Sequence, residues 1–62
     1  MKQFAARYVD RGTTQTSPRM SWPLALDMAR TLRSTAYPDA CVVSREPGGE
    51  WQQVWPKPNS AL

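Results

Sequence analysis

The chain has no histidine and a single cysteine, Cys41, in 62 residues. One thiol cannot form an internal disulfide, so a disulfide-stapled secreted mini-protein is excluded. Without imidazoles or further thiols there is no Cys/His zinc set, and no metal or cofactor is expected. The usual general base is missing too, and Cys41 lies among apolar neighbours, the setting of an inert buried thiol. No GxGxxG or Walker pattern occurs. Gly48-Gly49 follow Pro47 in a turn signal, not in a phosphate loop opening a helix. The carboxylates Asp10, Asp39, Glu46 and Glu50 fall in or beside turns, and Asp27 sits on a polar helix face within reach of Arg30. An enzyme is therefore not expected.

Long hydrophobic runs are also missing. No stretch approaches a membrane span. The first residues, MKQFAARYVD, lack the apolar run of a signal peptide, so a cytoplasmic location is expected. There is no repeat and no low-complexity tract.

What is present is one strongly periodic stretch, Ser21 to Ala36. Ala25, Met28, Ala29 and Leu32 recur at i, i+3, i+4 and i+7, which places them on one helical face, widened by Trp22 and Leu26. Ser21 is a favoured N-cap type whose hydroxyl can accept from a first-turn amide. Pro23 fits the first turn, where its missing N–H costs nothing. Pro38 disfavours helical geometry at Tyr37 and closes the helix. Arg30 and Arg33 lie toward the negative end of the dipole. Met20 is placed to staple onto Leu24 or Ala25 at the helix entry.

Around this helix the pattern changes to period two. Residues 2–9 alternate Phe4, Ala6 and Tyr8 against Gln3, Ala5 and Arg7, which predicts a strand with one buried and one solvated face. Asp10-Arg11-Gly12 signals a turn in which Gly12 can take positive φ. Residues 13–17, TTQTS, are rich in β-formers without a large apolar side chain, which suggests a solvated edge strand. Residues 40–45 place Cys41 and Val43 opposite Val42, and Glu46-Pro47-Gly48-Gly49 predicts a hairpin into residues 50–55. Strict alternation there puts Trp51 and Trp55 on one face with Gln53, either as core beneath the helix or with Trp55, beside the proline-containing tail, left partly exposed as a binding group. The expected fold class is α+β, one amphipathic helix packed on a small antiparallel or mixed sheet of three to four strands, β-(β)-α-β-β. Residues 1–55 form the domain, and residues 56–62, PKPNSAL, form a flexible proline-containing tail.

A domain this short buries only roughly 60% of its unfolded surface. Three Trp, two Tyr and one Phe exceed what so small a core can hide. A homodimer would add buried area. Eight basic against five acidic residues give a net charge of +3, mild for a nucleic-acid binder but compatible with one.

The segment Ala25–Val43, ALDMARTLRSTAYPDACVV, is similar to the helix–turn–strand half of SPOR domains, which bind peptidoglycan glycan strands; the second strand–helix unit of that fold has no counterpart here. The small Arg- and Trp-rich format also looks like accessory proteins encoded by bacteriophages and mobile elements. The function expected is non-enzymatic macromolecule binding, foremost as an interaction module, inhibitor or modulator of a protein target. Trp22, Trp55, Tyr37, Arg30 and Arg33 are the candidate anchors, since these residue types dominate binding energetics. The alternative is a small basic DNA-binding or regulatory protein. Arg7, Arg11, Arg19 and Arg45 would then meet phosphates and bases, assisted by Gln3, Gln52 and Gln53.

Overall fold

The computed structural model describes residues 1–57. Element order is β1 (Gln3–Asp10), β2 (Thr13–Thr16), α1 (Trp22–Thr35), β3 (Cys41–Arg45) and β4 (Gln52–Trp55). The strands form one antiparallel sheet in the order β2-β1-β3-β4. β2 and β3 both run antiparallel to β1, so α1 is the crossover that carries the chain over β1, and it covers one face of the sheet. The expected α+β architecture is the observed one. The proline-containing tail was expected from residue 56; residues 58–62 of it lie outside the described residues.

The two hairpins follow from their turn residues. Gly49 N–H donates to the Glu46 carbonyl at 2.8 Å, and Gly48 has φ 83°, the positive value a type II turn requires after Pro47. Between β1 and β2 the loop is only Arg11-Gly12, with φ 53° and 79°. This is the type I′ pattern, which needs positive φ at both positions. Gly12 meets it freely, but Arg11 has a Cβ and is strained there. Arg11→Asn is expected to stabilise the hairpin by about 0.5–1 kcal/mol, raising Tm by a few degrees in a thermal melt; an unchanged or lower Tm would mean Arg11 is not strained.

Beyond β2 the chain keeps contact with β1. Ser17 N–H donates to the Ala6 carbonyl, Ser17 Oγ accepts from the Ala6 N–H at 2.9 Å, and Met20 N–H donates to the Phe4 carbonyl. Residues 17–20 thus seal the β1 edge that the short β2 leaves free, and they deliver the chain to the helix start.

The N-cap at Ser21 differs from expectation. Its backbone caps, with the carbonyl accepting from Ala25 N–H at 2.9 Å, but its side chain makes no capping bond. The Met20 staple holds in part. Met20 packs with Phe4, Leu26 and Trp55 against Ala25, Ala29 and Val42, whereas Leu24 is 61% exposed. At the other end the Ala36 and Tyr37 amides both donate to the Leu32 carbonyl, and the Ser34 and Thr35 hydroxyls take up Thr31 and Leu32 carbonyls.

The core is made of small side chains. Ala5, Ala6, Ala25, Ala29 and Ala40 are fully buried, and the largest fully buried residues are Val42 and Val43. It has two halves, one on each side of the sheet. Beneath the helix lie Ala25, Ala29 and Val42; on the face away from the helix lie Ala5, Cys41 and Val43, with Trp51 packed over them. This corrects two expectations. Ala5 was placed on the solvated face, and it is on that face, but Trp51 covers it. Trp51 and Trp55 do not share a face: a register shift between Val42 and Val43 pairs them with Trp55 and Gln53, leaving Val54 as the extra residue. One extra residue reverses the facing of the chain beyond it, so Trp55 turns under the helix while Trp51 stays opposite.

Candidate functional site

Two surfaces gather the candidate side chains. The first lies where the last half of α1 meets the end of β4. Asp27, Arg30, Thr31 and Ser34 follow helical spacing, so they share a face beside the buried stripe. With Arg33 and Trp55 they line an open depression of about 670 Å³. Arg33 is held in place. Its Nη1 donates to the Ala40 carbonyl at 3.0 Å, and its guanidinium carbon lies 5.6 Å from the Trp55 ring centre, within cation–π range. Asp27 and Arg30 were expected within reach of each other, but they make no salt bridge; among the described residues the ion pair found joins the N-terminal amine to Glu46 at 3.3 Å.

Three of the five expected protein-binding residues, Arg30, Arg33 and Trp55, therefore converge. Trp22 and Tyr37 do not join them. Trp22 sits at the helix start, 37% exposed, edge-on to Phe4 at 5.5 Å. Tyr37 follows the helix and packs on Tyr8 with ring centres 4.9 Å apart and planes tilted by 55°. Asp27, Thr31 and Ser34 were not anticipated as part of a site, although their common helix face was readable from spacing.

The second surface is the face of the sheet that the helix leaves open. Arg7 and Arg45 both emerge on it, because Arg7 pairs with Cys41 and Arg45 with Gln3 in the β1–β3 register. Arg45 is oriented twice. Its guanidinium carbon stands 4.3 Å from the Trp51 ring centre, and its Nε donates to Gln3 Oε1 at 2.9 Å. Arg7 is different: its Nε is buried and finds no acceptor. Arg11 and Arg19 are not on this face. Arg11 occupies the β1–β2 turn, and Arg19 the exposed segment between β2 and α1. Gln53 joins the open face through its pairing with Val43, while Gln52, paired with Ser44, turns to the helix side.

Cys41 is buried beneath the open face. Burial pushes its thiol above the ordinary value, partly offset by the positive charges of Arg7 and Arg33. The fold thus keeps it protonated. No cluster of three or more potential metal ligands occurs among the described residues, and no helix there is long and apolar enough to cross a membrane.

Comparison of the chain with known families, curated proteins and solved structures finds no match. The likeness of Ala25–Val43 to half a SPOR domain goes no further than a helix, a turn and a strand, since one helix serves the whole sheet. What the fold defines is a small ββαββ α+β domain.

Proposed function

We propose that the chain is a non-enzymatic binding module that engages, and so modulates or inhibits, a protein target through the depression between α1 and β4. The observation that carries this is the convergence of Trp55, Arg33 and Arg30 around one concavity. Aromatic and guanidinium groups placed together are the side chains that supply most binding energy at protein interfaces. Arg33 is pre-positioned by Trp55 and Ala40, so less side-chain entropy is lost on binding. Two guanidiniums against one carboxylate suit a partner segment that brings an acidic group beside an apolar one.

The test is retention of a bacterial protein by the immobilised intact chain, with and without nuclease, at low and high salt. A discrete protein is expected to be held after nuclease treatment and to fall at least about tenfold with Arg30→Glu, since reversing an interfacial charge costs more than about 1.4 kcal/mol. Arg30 is exposed and bonds nothing in the core, so the variant should melt like the parent. Equal retention by Arg30→Glu, or loss of the retained species on nuclease treatment, would refute the proposal.

A further inference from the structure

We infer that the open sheet face is a second binding surface, and that its ligand is single-stranded nucleic acid. The face is basic and largely polar. The strand residues that point to it include Arg7 and Arg45 and no carboxylate; Glu46 and Glu50, in the hairpin, line a depression with Arg45 and Lys2, and Glu46 is engaged by the amino terminus. Most of its apolar groups are covered: Ala5 and Val43 are fully buried with Trp51 packed over them, while Val9, beside Thr14 at one end, is 45% exposed. A protein partner would find little apolar area there to anchor on. A second copy of the same face would set guanidiniums against guanidiniums.

Two features point to phosphate. The Trp51 ring covers one face of the Arg45 guanidinium and Gln3 Oε1 accepts from its Nε, which leaves the terminal amino groups to receive an anion. The Nε of Arg7 is buried and out of a ligand's reach, but its terminal amino groups make no hydrogen bond among the described residues and are left to donate to a phosphate oxygen. Arg45 stands opposite Gln3, four residues along β1 from Arg7, so the two cations are about 13 Å apart at the ordinary strand rise. Between and beside them, Thr14 and Thr16 offer hydroxyls to base edges, and Gln53, whose Nε2 donates to the Pro56 carbonyl, offers its amide oxygen. The Arg45 guanidinium, parked over Trp51, gives a planar group on which a base can stack.

The width of the sheet selects the single strand. A duplex major groove, about 12 Å wide, admits a helix or a two-stranded ribbon. Four strands span about 14 Å between outer axes before side chains are added, too broad for that groove. A flexible single strand can lie across such a platform with its phosphates on the arginines.

The experiment is fluorescence anisotropy of the intact chain with a labelled single strand of about 20 nucleotides, and with the matching duplex, over a range of salt. Tighter binding of the single strand is expected, weakening as salt rises. Arg7→Gln with Arg45→Gln should lose about tenfold in affinity and lower the log–log salt slope by about 1.4, the share of two phosphate contacts. Thr14→Glu with Thr16→Glu adds two carboxylates at exposed positions without touching the core, and should abolish binding even if the arginine pair proves necessary for folding. Arg30→Glu, on the opposite side, should bind as the parent does. The inference is overturned if no single strand binds at low salt, if the duplex binds equally well, if polyglutamate at equal charge displaces the strand, or if the two added carboxylates leave binding unchanged.

Discussion

Ala29→Leu is expected to cost about 2–3 kcal/mol of stability and to lower Tm by about 10–20 °C. The helix approaches the sheet through Ala25 and Ala29, both with no exposed surface, directly over Val42. Nothing in that layer is bulkier than valine among the fully buried side chains, so there is no larger group whose rotamer could change to make room. Three added carbons must lift the helix, and lifting it loosens Met20, Leu26, Phe4 and Trp55 together. Leu24→Ala, at an exposed position on the same helix, is the control and should shift stability by less than about 0.5 kcal/mol. Thermal melts followed by far-UV circular dichroism decide the matter. An Ala29→Leu chain that melts like the parent would show that the helix is not seated on its alanines.

The second large effect belongs to the other side of the sheet. Trp51→Ala is expected to cost about 2–3 kcal/mol, below the range for a fully buried tryptophan because Trp51 is only partly covered. The loss has two sources: Ala5 and Val43 regain contact with water, and Arg45 loses the ring beneath it. Cys41 reports the same event. In the parent, burial holds its thiol above the ordinary value of 9.0, with Arg7 and Arg33 pulling partly the other way. A raised thiol pKa means the fold prefers the protonated form. The stability this contributes is full below the ordinary thiol value and is lost as pH climbs above it. Removing Trp51 reduces the burial, so Cys41 should react faster with a thiol reagent in mildly alkaline buffer, and the alkaline fall in stability should become shallower. Unchanged reactivity would mean that Trp51 does not shield this half of the core.

The helix, both hairpin turns and the strand order along the chain were legible because each is encoded locally. Ala25, Met28, Ala29 and Leu32 carry the helical period, Pro38 ends it, and Gly12 and Pro47-Gly48 announce turns. What was not legible depends on pairing between segments. Nothing in EWQQVW marks Val54 as an extra residue, because the bulge is defined by the Val42 and Val43 partners on β3. Simple alternation therefore puts both tryptophans on one face. The same gap hid the burial of Ala5, whose cover comes from Trp51, far along the chain. Arg11 gave no sign of its left-handed backbone, since arginine is not a residue that favours it.

The candidate surfaces divide in the same way. Asp27, Arg30, Thr31 and Ser34 could be placed on one helix face from their spacing, but the depression exists only because the bulge brings Trp55 beside them. Likewise Arg7 and Arg45 could each be assigned to a strand, while their common face follows from the β1–β3 register. Reversal at the bulge thus produces both surfaces, one tryptophan under a guanidinium on each side: Trp55 with Arg33 and Trp51 with Arg45.

That separation of the two tryptophans is the central claim, and proton–proton contacts measured by NMR test it directly. The indole of Trp51 should show contacts to the methyl groups of Ala5 and Val43, and the indole of Trp55 to those of Ala29 and Val42. Contacts from both indoles to the helix alanines would place them on one face, remove the bulge, and dissolve both surfaces described above.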